Sequence, residues 1–506
     1  MAFNAYPIRF RTEGIAILAP KATGLTRPRQ LSMVRRFAIA RPQAHARGCG
    51  EMRRHREGPG TLPHTIPKTI RWAFGAYDQL WKPALPFLRR HVKLREGYAQ
   101  RLLARPFRCS ADIWIQAASA GESYLAGMLV ERLLHETDLG ILTTTNTRQG
   151  LDILAAAMAR LSPGPTDERL QINYFPFDRP TVMHRAVSSL KPRLMVLLET
   201  ELWPGLLFSL RQAGIPVIMV NARLRARSLK AYRLWPRLWR YLAPARVLAI
   251  GPEDAERLGQ LFGPGCVACM PNMKFDRIPL PISAQPSARP GFWTRHLPTD
   301  APFVVLASVH RSEEKLATRM IVRLQRHRPD AVVGVFPRHM HRVDALCQRL
   351  QTSGLEALRR SRIDGPIARG SVVVGDVFGE LTRIYQDAAA AFVGGSLKPL
   401  GGHNFLEALM GGVTPVIGPH WRAFRWVGAE LLQERLVHVA ADWRQAVGLL
   451  LKTVEKATPR HVLQRRATDF IQRHRGGTAQ ACRAILDLLE DHPLRGADQC
   501  PRHHRV

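Results

Sequence analysis

The stretch LMVLLETELWPGLLFSLRQAGIPVIMV, residues 194–220, decides the fold. It opens on an apolar run from Leu194 to Leu198 and breaks at Glu199-Thr200-Glu201. A helical pattern then runs from Trp203 to Ala213, and a second apolar run from Pro216 to Val220. Apolar runs without polar alternation suit strands buried on both faces, and strand, helix, strand is the unit of a parallel sheet. The break matters as much as the runs. Extended backbone would put Glu199 and Glu201 on one face, about 7 Å apart, at the carboxyl end of a buried strand. A solvated strand terminus, a metal pair and part of a reaction centre all fit that placement.

The same alternation extends both ways. Upstream, Ile113 to Ala118 and Leu139 to Thr145 read as strands, with helical stretches at Ser123 to Leu134 and Gly150 to Arg160. A Pro-rich stretch, IPLPISAQPSARPG (278–291), has linker composition. Strand patterns then restart at Phe303 to Ala307, Ala331 to Phe336, Val372 to Val374, Ala389 to Val393 and Val413 to Ile417. The expected fold is α/β, with two Rossmann-like doubly wound domains at 106–277 and 296–490, a linker at 278–295 and a tail at 491–506. Ligands of such sheets bind beyond the carboxyl ends of the strands.

At 506 residues the chain is long enough for two or three cores, and its net charge of +34 predicts attraction to polyanions. Residues 1–65 carry 12 Lys/Arg against three acids with little periodicity, which reads as a basic, disordered extension. At 66–105, Trp72, Phe74, Tyr77, Leu80 and Trp81 precede Arg89, Arg90, Lys93 and Arg95. Aromatic anchors beside a basic cluster suit an amphipathic helical segment lying on a membrane, and packing on the chain's own domain is the alternative. Pro83 and Pro86 are expected to break any long helix there. No stretch has the length and apolarity of a spanning helix, and the seven scattered cysteines suggest a reducing compartment. A single CxxC, Cys266 and Cys269, lacks the second pair that a zinc site needs.

Several strand ends carry candidate chemistry. Ser119-Ala120-Gly121 is a small-residue turn, and Glu122 after it can accept a proton from a substrate hydroxyl or merely complement a helix N-terminus. FVGGSLKPLGGHNFLEALMGG (392–412) is the densest cluster. Its Gly394-Gly395-Ser396 follows a strand, while Gly401-Gly402-His403-Asn404 opens a helix with Glu407 one turn in. Exposed N–H groups at such a start cradle phosphate, although glycines needed only for turns remain an alternative. Arg338, in FPRHMHR (336–342), is placed to meet phosphate or to be a solvated loop residue. Gly379 and Glu380 end a further strand, and Lys274 precedes the linker.

In this order the motifs resemble the 3-deoxy-D-manno-octulosonic acid (Kdo) transferases of lipopolysaccharide synthesis. The matching pieces are SAGE at 119, TTTNT at 143, YFPFDRP at 174 and ETELWP at 199. NARLRARS at 221, NMKFD at 272, EE at 313 and PRH at 337 continue the series. VVVGDVFGEL at 372, GGSLKPLGGHNFLEA at 394 and GPHWRAF at 418 complete it. The resemblance implies a GT-B fold and inverting transfer of Kdo from CMP-Kdo to a lipid A precursor, without metal or other cofactor. It implies action at the cytoplasmic face of the bacterial inner membrane, on an anionic surface. Glu122 then looks like the general base, with Glu199 and Lys274 as transition-state stabilisers. Pro337, Arg338, Phe378, Gly379, Glu380, Asn404, Phe405, Leu406 and Glu407 match the CMP-binding segments. Gly394, Gly395, Ser396, Gly401, Gly402 and His403 form a further donor loop.

The sequence also departs from the family pattern. Pro271 replaces the glycine before Asn-x-Lys-Phe-Asp and is expected to shift the loop carrying Lys274. Phe378 replaces a Met, and Ala117-Ala118-Ser119-Ala120 and His310-Arg311-Ser312 also differ, which points to a divergent branch with an altered acceptor. Other readings are a GT-B transferase of another activated sugar and a basic nucleic-acid-binding protein. Against the latter, the basic residues are dispersed and no nucleic-acid-binding motif appears.

Overall fold

A computed structural model of the chain describes residues 66–107, 110–161, 169–280 and 291–492. The basic extension at 1–65, residues 281–290 of the linker and the tail from 493 lie outside the described residues. The first domain is a seven-stranded sheet in the order β3-β2-β1-β4-β5-β6-β7. Its strands are β1 (Ile113–Ala117), β2 (Ile141–Thr145), β3 (Leu170–Tyr174), β4 (Leu194–Leu198), β5 (Val217–Ala222), β6 (Arg246–Ala249) and β7 (Val267–Cys269). Every pairing is parallel. The opening stretch of sequence is β4, the helix Pro204–Gln212 and β5, as its apolar runs require.

The second domain repeats the plan with β8 (Phe303–Val309), β9 (Val332–Pro337), β10 (Ala357–Arg359), β11 (Val372–Val374), β12 (Ala390–Val393), β13 (Pro415–Ile417) and β14 (His438–Val439). Its order is β10-β11-β9-β8-β12-β13-β14, again parallel throughout. Two doubly wound domains in series form a GT-B chain. In each sheet the order reverses beside the first strand, β1 or β8, and such a switch point opens a crevice at the carboxyl edge.

Two sequence expectations need correcting. The helix Gly477–Asp491 does not belong to the second domain's core. Its Ala481, Cys482, Ile485, Leu488 and Leu489 share a buried cluster with Ile113, Ile115, Leu194 and Ile218 of the first sheet. Asp276 anchors it there by accepting from the N–H groups of Gly476 and Thr478, both at 2.7 Å. The prolines, too, fail to break the N-terminal segment: one helix spans Lys68–Arg90 with Pro83 and Pro86 inside it. Both prolines are exposed, so each lost backbone bond falls on the solvent side, while the other face is docked. Phe74 stacks on Phe208 at 3.9 Å. Buried Asp78 pairs with Arg179 at 2.9 Å and accepts from the Thr181 N–H at 3.0 Å. Tertiary packing outweighs a proline cost of about 3 kcal/mol each.

The aromatic residues of this helix divide between its two faces. Phe74, Tyr77 and Trp81 turn inward in a chain of ring contacts that reaches Phe208 and Phe177. Trp72, Leu80 and Phe87 point outward, with 80%, 66% and 70% of their surface exposed.

Candidate active site at the carboxyl edges of the two sheets

Glu199 is the first residue past β4, and its φ of 55° is left-handed. For a residue other than glycine that conformation costs about 1–3 kcal/mol and persists where surroundings enforce it. It also ends the strand alternation, so Glu199 and Glu201 are not a matched pair on one face. Their partners differ accordingly. Glu199 is buried and held by two cations, with Oε1 2.6 Å from Lys274 Nζ and Oε2 2.8 Å from Arg223 Nη2. Glu201, also buried, accepts from Trp203 Nε1 at 2.7 Å. Burial, then the Glu122 charge, pushes Glu201 well above the carboxylate range despite that bond.

The abrupt Trp203-Pro204 closure has a mechanical reason. Pro204 opens the following helix, where a missing N–H is harmless. Asp178 caps the same helix, accepting from Gly205 N at 3.0 Å and Leu206 N at 2.8 Å. Lys274 is fixed just as closely. Its N–H donates to Asn272 Oδ1 at 3.0 Å, and the Met273 N–H donates to Asn221 Oδ1 at 2.9 Å. The loop therefore delivers its ammonium to Glu199 although Pro271 stands where the family has glycine.

Glu122 enters from the helix Ala120–Glu136, which Ser119 caps. Its Oε2 accepts from Ala118 N and its Oε1 from Ser119 Oγ, both at 2.8 Å. The helix-terminus role is thus real, and a proton-accepting role coexists with it. Burial first, and the Glu199 charge second, push Glu122 up to about 7, with the two hydrogen bonds and Lys274 pulling the other way. A carboxylate poised there accepts a proton near neutral pH far better than an ordinary one.

The second domain divides the expected donor residues into three kinds. Arg338 is exposed and makes no ion pair among the described residues, so its guanidinium is open to an anion. Its N–H donates to Val309 O at 2.8 Å, which fixes it at the sheet edge. Phe378 is 77% exposed, Gly379 has φ 81°, and Glu380 is gripped by Arg360 at 2.5 and 3.0 Å. Asn404 caps the start of the Leu406–Met410 helix through the Leu406 N–H at 3.2 Å and bonds Glu407 at 2.7 Å. Pro337, Phe405 and Leu406 are buried, and the last two belong to the hydrophobic core. Any part they take in binding is through neighbouring backbone.

The loop Gly394-Gly395-Ser396 corrects the phosphate-cradle expectation. Its N–H groups are already taken by the buried Glu313 carboxylate, which accepts from Gly395 N at 2.5 Å, Ser396 N at 2.9 Å and Leu397 N at 2.8 Å. A carboxylate from the β8 end has claimed the donors that the glycines expose. Gly395 instead makes room, since a Cβ there would lie 2.7 Å from His403 Nε2. That Nε2 is buried without a hydrogen-bond partner among the described residues. Burial, then the charges of Arg338, His310 and His339, lower His403 to about 4, so its ring is neutral at neutral pH. Gly401 and Gly402 both have positive φ, and Gly402 N bonds Gly395 O at 2.7 Å, tying the two glycine pairs together.

The first domain's residues 90–277 match the family model described as 3-Deoxy-D-manno-octulosonic-acid transferase (kdotransferase). A 3-deoxy-D-manno-octulosonic acid transferase of Bordetella pertussis is 34% identical over 397 residues, covering 76% of this chain and 88% of that protein. The chain belongs to the Kdo transferase family. A Haemophilus influenzae member is 29% identical over 387 residues, 75% of this chain and 86% of its own. A glycosyltransferase structure from Rickettsia africae ESF-5 superposes with TM-score 0.50 at 8% identity, over 76% of this chain and all of that one, which speaks to fold alone.

As a Kdo transferase the chain is a glycosyltransferase, and its site contains residues to which the sequence motifs assigned no role. Arg223 lay in NARLRARS and Glu313 in the EE pair. Nothing local signalled that the first grips Glu199 or that the second occupies the glycine loop 82 positions away. Asp178, Asn221 and Asn272 likewise act on partners distant in sequence.

Proposed function

We propose that this Kdo transferase moves Kdo from CMP-Kdo to a hydroxyl of a lipid A precursor with inversion. The observation that carries the reading is Glu122, buried and pushed up to about 7, within the field of the Glu199–Lys274 pair. Glu122 takes the acceptor hydroxyl proton as the oxygen attacks the anomeric carbon. The bond from that carbon to the CMP phosphate breaks, and its electron pair leaves with CMP. Positive charge builds on the sugar ring in the transition state, and Glu199 favours it. Lys274 and Arg223 hold Glu199 in place, and Arg338 receives the departing phosphate charge. The chemistry is carried by side chains and calls for no metal. The exposed Trp72, Leu80 and Phe87 supply a face for the anionic membrane where such an acceptor resides.

Incubation of the purified chain with CMP-Kdo and a tetra-acylated lipid A precursor, followed by mass analysis, tests the reading. The product gains the mass of one or more Kdo residues. Transfer from another activated sugar, with CMP-Kdo inert, would overturn it.

A further inference from the structure

The junction between the two domains gathers more positive charge than Glu199 neutralises. Lys274 and Arg223 are its partners. Two residues past Arg223, exposed Arg225 stands at the N-cap of the helix Ala226–Tyr232. From the second domain, exposed Arg422 opens the 3-10 helix Arg422–Val427. That short helix is pinned to both half-sites. Its Trp426 ring lies 6.0 Å from Lys274 Nζ and 5.1 Å from Phe275, while Ala423 N donates to Gly401 O at 2.8 Å. Arg422 is thereby carried between the donor loop and the Glu199 centre.

Neither Arg225 nor Arg422 has an ion pair or side-chain hydrogen bond among the described residues. Burial, then the charges of Arg223 and Arg422, hold Arg225 below its ordinary value, with Glu199 opposing. Guanidinium groups from two domains thus lie in each other's fields with too few carboxylates among them. Such an arrangement is relieved by an anion that both can fork, and phosphate is the geometry a guanidinium fits best.

We propose that Arg225 and Arg422 form a two-domain clamp for a phosphate ester on the acceptor, presenting the acceptor sugar to Glu122. The proposal rests on the transfer reading above. The acceptor is favoured over the donor because Arg225 belongs to the domain that carries Glu122, whereas the leaving phosphate has Arg338. Both arginines are positioning residues. Because the clamp draws one residue from each domain, acceptor binding also draws the cleft together.

The test uses Arg225→Ala, Arg422→Ala, the double variant and the Lys substitutions in the full chain. Binding of a deacylated, bisphosphorylated glucosamine disaccharide is measured by calorimetry, alongside the KM values for acceptor and donor. Each Ala variant is expected to bind the disaccharide about tenfold more weakly, the loss of a charge-assisted hydrogen bond. Acceptor KM rises to match, while kcat and donor KM stay unchanged, and Lys restores part of the loss. The double variant loses less than the product of the singles, because both grip one anion. With the phosphates removed, wild type binds weakly and the variants lose nothing more. Unchanged disaccharide affinity, an equal loss on the dephosphorylated sugar, or a loss confined to donor KM each overturns the clamp. Wild type that binds the disaccharide as expected but transfers nothing from CMP-Kdo counts against the transfer reading and leaves the clamp supported.

Discussion

Glu122 and Glu199 share a site but have opposite surroundings. Glu199 is locked between two cations, whereas Glu122 has only two neutral donors and a like charge nearby. Because the ionised form of Glu122 does the work, kcat/KM is expected to rise with pH through about 7 and level off above it. An acid limb centred near 4.5 would remove Glu122 from the base role. Glu122→Gln should lower kcat by about 10²–10⁴-fold with CMP affinity intact. The same shift bears on stability. A carboxyl raised in the folded state binds more protons folded than unfolded, so ionising it costs stability as pH rises from 4.5 towards 7. Glu122→Gln should therefore melt higher than wild type at pH 8, by at most about 3 kcal/mol, with the gain shrinking as pH falls through that window. Arg223→Ala releases one side of Glu199 and should cost about tenfold in kcat, and an unchanged kcat would show that Lys274 alone suffices.

Among the elements, the glycine loop after β12 shows where reading a sequence stops. FVGGS was legible as a strand followed by a tight turn, and the positive φ of Gly395 bears that out. Its N–H groups were expected to face phosphate because nothing nearby in sequence competes for them. The competitor, Glu313, arrives from the β8 edge and becomes a neighbour only when β8 and β12 pair. ETELWP follows the same rule. The strand and the helix start were readable, but the left-handed Glu199 and the Asp178 cap depend on the sheet being assembled. Glu313→Ala would strand three backbone donors at a buried site, at about 1–3 kcal/mol each. The second domain is expected to lose at least about 3 kcal/mol in denaturant unfolding, and Glu313→Gln to lose less. A wild-type midpoint for Glu313→Ala would mean that the loop does not depend on this carboxylate.

For the whole molecule, the helix Lys68–Arg90 sets how the cleft meets its acceptor. The sequence offered two uses for its aromatic residues, membrane contact or packing on the domain, and the structure uses opposite faces for each. Trp72, Ala76, Leu80, Pro83 and Phe87 recur at helical spacing on the exposed side, and Lys68, Arg71, Lys82 and Arg89 are exposed alongside. No described helix is long and apolar enough to cross a membrane, so this chain's affinity for a bilayer would come from such a face. A buried aromatic or aliphatic side chain contributes about 1.5–3 kcal/mol, and each basic residue near an anionic surface about 1 kcal/mol. Three apolar anchors are then worth at least a hundredfold in partition. A Trp72→Ser, Leu80→Ser, Phe87→Ser variant should lose about that factor in sedimentation with vesicles containing anionic lipid. Its turnover of a detergent-dispersed acceptor should match wild type, since the docked face with Phe74 and Asp78 is untouched. Raised salt should weaken the wild type's binding through the basic flank alone and leave an apolar remainder. Undiminished sedimentation of the triple variant at high salt would place the membrane contact elsewhere on the molecule.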